Sequence, residues 1–245
     1  MHSFMSRLYE KSELNFALIW IGIYCLSNSM GNLASVSVGY EYCVTLFINL
    51  FLCAGILLWI RSKGLAEKYG LCPGKASAAY FLWYIPLGIF VSHNLWGGAD
   101  FRHPVGEILF CGLNMLCVGF LEEVIFRGFL FRALETDNQK TAICVSSLTF
   151  GIGHILNLFN GSGMGLGENI CQIVGAVICG FLFAVIFLRG GSLIPCIFAH
   201  GWNNAISMFA REEQSDTVSL LLFGVCMVIM AAYALYLWKK PPIKS

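Results

Sequence analysis

Residues 169–188 read NICQIVGAVICGFLFAVIFL, an apolar run without a single charged side chain. A helix needs about 20 such residues to cross the hydrocarbon core of a bilayer. The run is therefore typical of a membrane-spanning helix. Together with seven further runs of similar length it predicts eight spans, at about Leu14–Val36, Tyr42–Ile60, Ala76–Leu95, Val105–Leu134, Thr141–Phe159, Asn169–Leu188, Ser192–Ala210 and Val218–Trp238.

The composition of the whole chain supports this interpretation. Of its 245 residues, 58% are hydrophobic and 12% are charged, and the mean hydropathy is +0.73. Soluble domains carry roughly a quarter charged residues, so this chain has too little charge to cover a water-exposed globule. We expect an all-α membrane protein with about eight transmembrane helices. The net charge of +1 gives no reason to expect nucleic acid as a partner.

Lysine and arginine are distributed unevenly between the predicted connections. With the eight spans above, every one of them except Arg102 and Arg211 falls on the same side of the membrane or on the helix ends beside it. Short loops rich in these residues face the cytoplasm. Both termini are therefore predicted to be cytoplasmic, in a multi-pass protein surrounded by membrane lipid. A wrong number of spans would scramble this alternation.

A few ionisable and amide side chains interrupt the predicted spans. Each such group costs a few kcal/mol in lipid, so it usually faces a cavity or a partner. The fourth, fifth and seventh spans carry them in three motifs, Glu122-Glu123-x-x-x-Arg127, Phe150-x-x-x-His154 and His200-x-x-x-Asn204. Each group alone has a structural explanation, such as helix–helix contact or the polar end of a span. The combination favours a shared site.

Helical spacing indicates which of these groups share a face. Glu123 and Arg127 are separated by four residues and are predicted to form an ion pair. Glu122 is rotated by about 100° from Glu123 and stays available for another role. His200 and Asn204 point into the same volume by the same spacing. At about 1.5 Å per residue the groups could meet in the cytoplasmic half of the membrane.

These residue types suit hydrolysis. A carboxylate can accept a proton from water, and a histidine can orient that water. Histidine and asparagine donors can stabilise the oxyanion that forms when water attacks a carbonyl group.

In this order the motifs resemble those of the CPBP family, which includes the type II CAAX prenyl endopeptidases and the bacteriocin-processing or abortive-infection proteins. The resemblance covers about Val105–Ala210. It divides the chain into N-terminal transmembrane helices with a basic cytoplasmic loop (1–104), a catalytic helical core (105–210), and a last helix with a basic tail (211–245).

The resemblance implies an intramembrane endopeptidase. By analogy, Glu122 and His154 would activate the water, and His200 and Asn204 would form the oxyanion hole. Glu123, Arg127 and Phe150 would be supporting residues.

The resemblance leaves the cofactor open. Zinc held by Glu122, His154 and His200 is one alternative, because three protein ligands plus water are usual at catalytic zinc. The other is a glutamate-activated water without metal, which we favour because the sequence has no His-Glu-x-x-His pair.

The substrate and physiological role also stay open. A membrane-associated protein or peptide is expected, either prenylated, as in the CAAX branch, or processed in peptide maturation or immunity. The short loops suggest a bacterial plasma-membrane protein. Two other classes compete with the enzyme: a non-catalytic membrane scaffold that gives immunity by binding a partner, and a transporter or channel.

Overall fold

A computed structural model describes residues 4–159, 164–211 and 216–241. Within these ranges the chain is helical, and its nearest approach to a strand is an isolated bridge between Ala99 and Ala210. The helices are α1 (Phe4–Lys11), α2 (Glu13–Val38), α3 (Cys43–Ser62), α4 (Ile85–Ser92), α5 (Val105–Glu122), α6 (Arg132–Glu135), α7 (Gln139–Gly153), α8 (Leu166–Gly190), α9 (Ile194–Ser207) and α10 (Asp216–Lys239). A π-helical segment, Glu123–Phe131, joins α5 to α6, and 3-10 segments occupy Ala78–Tyr84, His93–Leu95 and His154–Leu158.

Six of the eight predicted spans are helices long and apolar enough to cross a membrane. They are Glu13–Val38, Cys43–Ser62, Val105–Glu135, Gln139–Leu158, Leu166–Gly190 and Thr217–Lys239. Large apolar side chains such as Leu26, Phe51 and Val228 are exposed on their outer faces. Exposing this much apolar surface to water is unfavourable, so these faces are suited to contact with lipid. The chain is a multi-pass membrane protein.

The predicted third span, Ala76–Leu95, is not one continuous helix. Its first part is the 3-10 segment Ala78–Tyr84, in which Leu82, Trp83 and Tyr84 have φ of 52°, 51° and 57°. These left-handed values interrupt the helical ladder before α4 begins. The predicted seventh span is represented by α9, whose 14 residues rise about 21 Å, less than a bilayer core. A count of eight full-length spans is therefore not confirmed.

Both short segments nevertheless run between the two ends of the bundle. At one end, the amide of Lys75 donates to Gly190 O and that of Leu193 donates to Gly70 O, each at 2.9 Å. At the other, Asn94 Nδ2 donates to Asn203 O at 2.9 Å. We call the first the basic end, formed by residues 63–77, 132–138 and 190–193. The second is the opposite end, formed by residues 39–42, 96–104 and 208–211.

Most of the predicted basic residues lie at the basic end or on the helix ends beside it. Lys63, Lys68, Lys75 and Arg132 lie at this end, and Arg189 and Lys240 lie beside it. Arg127 is instead buried in the π-helical segment, and Arg102 and Arg211 lie at the opposite end. Lys244, in the predicted basic tail, lies outside the described residues. Which side of the membrane each end faces stays a prediction.

Helices α5 and α9 are in unusually close contact through two glycines. A Cβ on Gly119 would lie 2.5 Å from the amide nitrogen of Gly201, and a Cβ on Gly201 would lie 3.2 Å from Cα of Leu116. Small residues are what allow helix backbones to approach so closely in membranes. This contact places the C-terminal end of α5 directly beside the middle of α9, where two of the sequence motifs meet.

Candidate active site

The first motif lies where α5 changes into the π-helical segment. All nine residues of Glu123–Phe131 are buried. A π-helix forms i→i+5 hydrogen bonds and has a wider turn than an α-helix, and such segments are frequent at functional sites. The change of helix type therefore falls between the two consecutive glutamates and alters the angle at which they project.

The carboxylate of Glu122 is held at both oxygens. Tyr24 donates its hydroxyl to Oε1 at 2.8 Å, and Nε2 of His200 lies 3.3 Å from Oε2. The side chains of Glu122 and His200 are 12% and 8% exposed. The sequence motifs of α5 and α9 thus meet in one nearly buried contact, and α2 supplies a third group.

Glu123 links Arg127 to His200 through one carboxylate oxygen. Its Oε1 accepts hydrogen bonds from Arg127 Nη1 at 3.0 Å and from His200 Nδ1 at 2.8 Å. Glu123 and Arg127 are fully buried, at 0% side-chain exposure, and form the predicted i,i+4 ion pair. Both ring nitrogens of His200 therefore face carboxylates, so both are placed to donate hydrogen bonds.

Phe150 packs against one residue from each of the three motifs: Arg127, His154 and His200. The guanidinium carbon of Arg127 lies 4.1 Å from its ring centre, a cation–π distance. The imidazoles of His154 and His200 meet the ring edge-on, at centroid distances of 5.0 and 5.7 Å. The ring of this phenylalanine therefore lies between two histidines and one arginine.

His154 is the first residue after α7. Its Nδ1 donates to the carbonyl oxygen of Phe150 at 3.0 Å. Because a carbonyl oxygen can only accept, the proton of a neutral ring resides on Nδ1, and Nε2 keeps a lone pair. His154 can therefore accept a hydrogen bond from water through Nε2.

Two cavities meet at this site. The larger, of about 1000 Å³, is lined by His200, and the smaller, of about 370 Å³, by Glu122 and Tyr24. The two are adjacent because they share lining residues, namely Phe150, His154, Gln172, Asn204 and Ser207. His154 and Asn204, two of the predicted site residues, therefore line both cavities. The carboxylate of Glu122 lines the smaller cavity, and the imidazole of His200 lines the larger one.

Asn204 is less firmly held than the other groups. Its Oδ1 accepts a hydrogen bond of 3.4 Å from Asn203 Nδ2. With its oxygen so engaged, the amide nitrogen is the group left to donate into the cavities.

Tyr24 is a site residue that no sequence motif marks. The signal in the sequence is indirect, because Ser27, Asn28, Ser29 and Asn32 place polar groups in the same apolar span. In the structure, Cys25, Asn28, Ser29 and Asn32 line the smaller cavity together with Tyr24. Polar residues of the apolar helix α2 therefore line the smaller cavity. The larger cavity likewise receives Phe223 and Met227 from α10, to which no specific role was assigned.

The zinc alternative can be tested against the donor atoms. Among the described residues, no group of three or more His, Cys, Asp or Glu side chains is arranged to hold one metal ion. Glu122 and His200 lie side by side, but His154 is not grouped with them around one point. In the described geometry the three residues therefore do not form a three-ligand zinc site.

Comparison with known proteins agrees with the motifs. No curated protein and no solved structure matches the chain. A family model described as Type II CAAX prenyl endopeptidase Rce1-like matches residues 104–206. This segment contains α5, the π-helical segment, α7, α8 and nearly all of α9. The resemblance predicted from the three motifs is confirmed: residues 104–206 are similar to the type II CAAX prenyl endopeptidase family, consistent with a CPBP family intramembrane protease.

Proposed function

We propose that this protein is an intramembrane endopeptidase that hydrolyses a peptide bond in a membrane-associated protein or peptide. The observation that carries the proposal is the contact of Glu122 with His200, a carboxylate beside an imidazole at the meeting point of two cavities. The family match over residues 104–206 supports the same reaction class.

In this proposal, the reaction begins with a water molecule between Glu122 and His154. Glu122 removes a proton, and Nε2 of His154 accepts a second hydrogen bond that orients the oxygen. The hydroxide then attacks the carbonyl carbon of the scissile peptide bond. General-base help of this kind accelerates hydrolysis by about 10²–10⁴-fold.

The same proposal assigns the oxyanion to α9. Nε2–H of His200 and the amide of Asn204 donate to the oxygen that becomes negative as the carbonyl is attacked. Glu123 holds the imidazole through Nδ1, and Arg127 balances the charge of Glu123. Glu122 then returns its proton to the leaving nitrogen, so that one acid and one amine are formed and the enzyme is regenerated.

We further propose that the protein works in a bacterial plasma membrane, without metal. Its substrate belongs either to the prenylated CAAX type or to peptides processed during maturation or immunity. The site chemistry suits any of these, since the attacked group is a peptide carbonyl in each. The three-part division of the chain, with the catalytic core at 105–210, is part of the same proposal.

The test is Glu122→Gln, which keeps the size of the side chain and removes the base. Membrane fractions from cells with the wild type and with the variant are compared by mass spectrometry for new peptide termini. We expect termini that occur only with the wild-type chain. Glu107→Gln, which changes an exposed carboxylate at the start of α5, is the matched control and should leave them in place.

An immunity or processing phenotype that survives Glu122→Gln at normal expression would contradict the enzymatic proposal. It would favour a non-catalytic scaffold that binds a partner. A substrate-gated flux in liposomes that survives the same change would favour a transporter.

A further inference from the structure

Both cavities open at the opposite end of the bundle. The smaller one is bordered there by Tyr42 in the connection before α3 and by Asn157 and Met164 in the connection before α8. The larger one reaches the exposed residues Glu168 and Arg211. Among the residues that the structure describes, none from 63–77, 132–138 or 190–193 lines either cavity.

The basic end is closed beneath the site. A Cβ on Gly70 would lie 2.4 Å from the ring of Phe187 and 2.8 Å from the amide nitrogen of Leu193. Tyr69 is buried beside Phe129 of the π-helical segment, with ring centres 4.9 Å apart. The loop after α3 therefore packs directly onto α8, α9 and the π-helical segment. A cavity of about 850 Å³ lies at this end, but it shares no lining residue with the two cavities of the site.

The charges indicate which compartment each end faces. Apart from the buried Arg127, the described lysines and arginines lie at the basic end or on the helix ends beside it, with the exceptions of Arg102 and Arg211. Short loops rich in these residues stay in the cytoplasm. Within the described part of the chain, Arg102 and Arg211 are the lysine and arginine residues of the opposite end. By this rule the cavity mouths face away from the cytoplasm.

We propose that the enzyme takes its substrate from the extracytoplasmic side of the membrane. This inference rests on the proposed peptidase function and narrows its substrate class. The substrate is a peptide segment already translocated, either part of a secreted peptide or the outer segment of a membrane protein. A prenylated chain end that stays in the cytoplasm does not reach the mouth.

The lining of the larger cavity agrees with an extended peptide that carries apolar side chains. Its inner walls include the aromatic rings of Phe90, Phe183 and Phe223, and its mouth carries Glu168 and Arg211. A volume of about 1000 Å³ is at the upper limit of ordinary small-ligand pockets, so several residues fit. Apolar side chains would bind inside while the peptide ends stay at the polar mouth.

Native cysteines allow a direct test on the unmodified chain, because the eleven cysteines are free thiols. Cys171 lines the larger cavity. Cys43 begins α3 at the opposite end, and Cys72 lies in the loop at the basic end. Intact cells are treated with a small membrane-impermeant cationic thiol reagent, before or after permeabilisation, and the modified cysteines are identified by mass spectrometry.

We expect Cys43 and Cys171 to be modified in intact cells and Cys72 only after permeabilisation. Modification of Cys171 only under the conditions that modify Cys72, or under neither condition, would overturn the proposal. So would modification of Cys72, but not Cys43, in intact cells, because the cavity mouths would then face the cytoplasm.

This labelling does not depend on catalysis, so the two proposals can fail separately. The Glu122→Gln variant should show the same cysteine pattern as the wild type. A second measurement uses the peptide termini that disappear in this variant. Their location in extracytoplasmic segments supports the proposal, whereas their location in cytoplasmic segments overturns the entry side but leaves the peptidase function intact.

Discussion

The hydroxyl of Tyr24 donates a hydrogen bond of 2.8 Å to Oε1 of Glu122 across 98 residues of sequence. It leaves Oε2, the oxygen nearest His200, as the one that faces the reacting groups. Tyr24 is a positioning residue for the proposed base, and its ring is buried in α2.

Tyr24→Phe should lower the turnover rate with little change in KM. A hydrogen bond to a charged group contributes about 1.5–3 kcal/mol, so a loss of about tenfold or more is expected. Steady-state kinetics on a cleaved peptide would measure it. Tyr233→Phe is the control, because Tyr233 donates a similar bond of 2.7 Å to Phe81 O outside the site. An equal loss of turnover in both variants would contradict a positioning role.

Arg127→Met should destabilise the folded protein severely. The change leaves Glu123 buried without its cation, and breaking a buried ion pair costs about 3–5 kcal/mol. Thermal unfolding in detergent would measure the loss. Lys63→Met is the comparison, since Lys63 pairs with Glu10 at 3.3 Å near the surface, where a pair contributes about 0–1 kcal/mol. Similar melting temperatures for the two variants would argue against a structural role of the buried pair.

Gly119→Ala should impair both folding and cleavage. The new methyl group would overlap the backbone of α9 at Gly201, and overpacking of this kind costs about 1–3 kcal/mol. Separation of α5 from α9 would also move Glu122 away from His200. Gly112→Ala lies on the same helix with no atom within 4 Å of the new Cβ and should have neither effect. Folded yield and cleavage rate can be measured on the same preparations.

Asn204→Ala should lower turnover without a change in melting temperature. Loss of one oxyanion donor costs about 10²–10³-fold in kcat, and Asn204 makes only a weak contact with Asn203. Ser207→Ala, one turn further on and lining the same two cavities, should change turnover by no more than a few fold. A fully active Asn204→Ala enzyme would remove this residue from the proposed mechanism.

Most of the helices could be predicted from the sequence because hydrophobic length is a local property. The predicted spans Val105–Leu134 and Thr141–Phe159 differ by at most two residues at any end from the helical regions Val105–Glu135 and Gln139–Leu158. The segment Ala76–Leu95 is also a long apolar run, and its interruption at Leu82–Tyr84 depends on three backbone angles that hydropathy does not report. A prediction from the length and apolarity of a segment therefore overestimates how continuous its helix is.

The geometry of the site could be predicted only in part. The Glu123–Arg127 pair follows from helical spacing and is present. The 100° rotation expected between Glu122 and Glu123 suggested separate surroundings, yet both contact His200, one at each ring nitrogen. The π-helical segment begins at Glu123, and the position of α9 beside it depends on two glycines. Neither feature follows from the spacing of motifs, and the same holds for the approach of Tyr24 from α2.

The hydrogen bond from Tyr24 to Glu122 also limits how far the chain can be truncated without changing the site. Residues 104–206 contain the three motifs, but the proposed base is tied to α2, and α10 closes part of the larger cavity. A fragment of residues 104–206 would keep every residue of the three motifs. It would lose the hydrogen bond from Tyr24 to Glu122 and the part of the larger cavity that α10 lines. Helices α2 and α10 therefore contribute to the site, although both lie outside the segment that the family model matches.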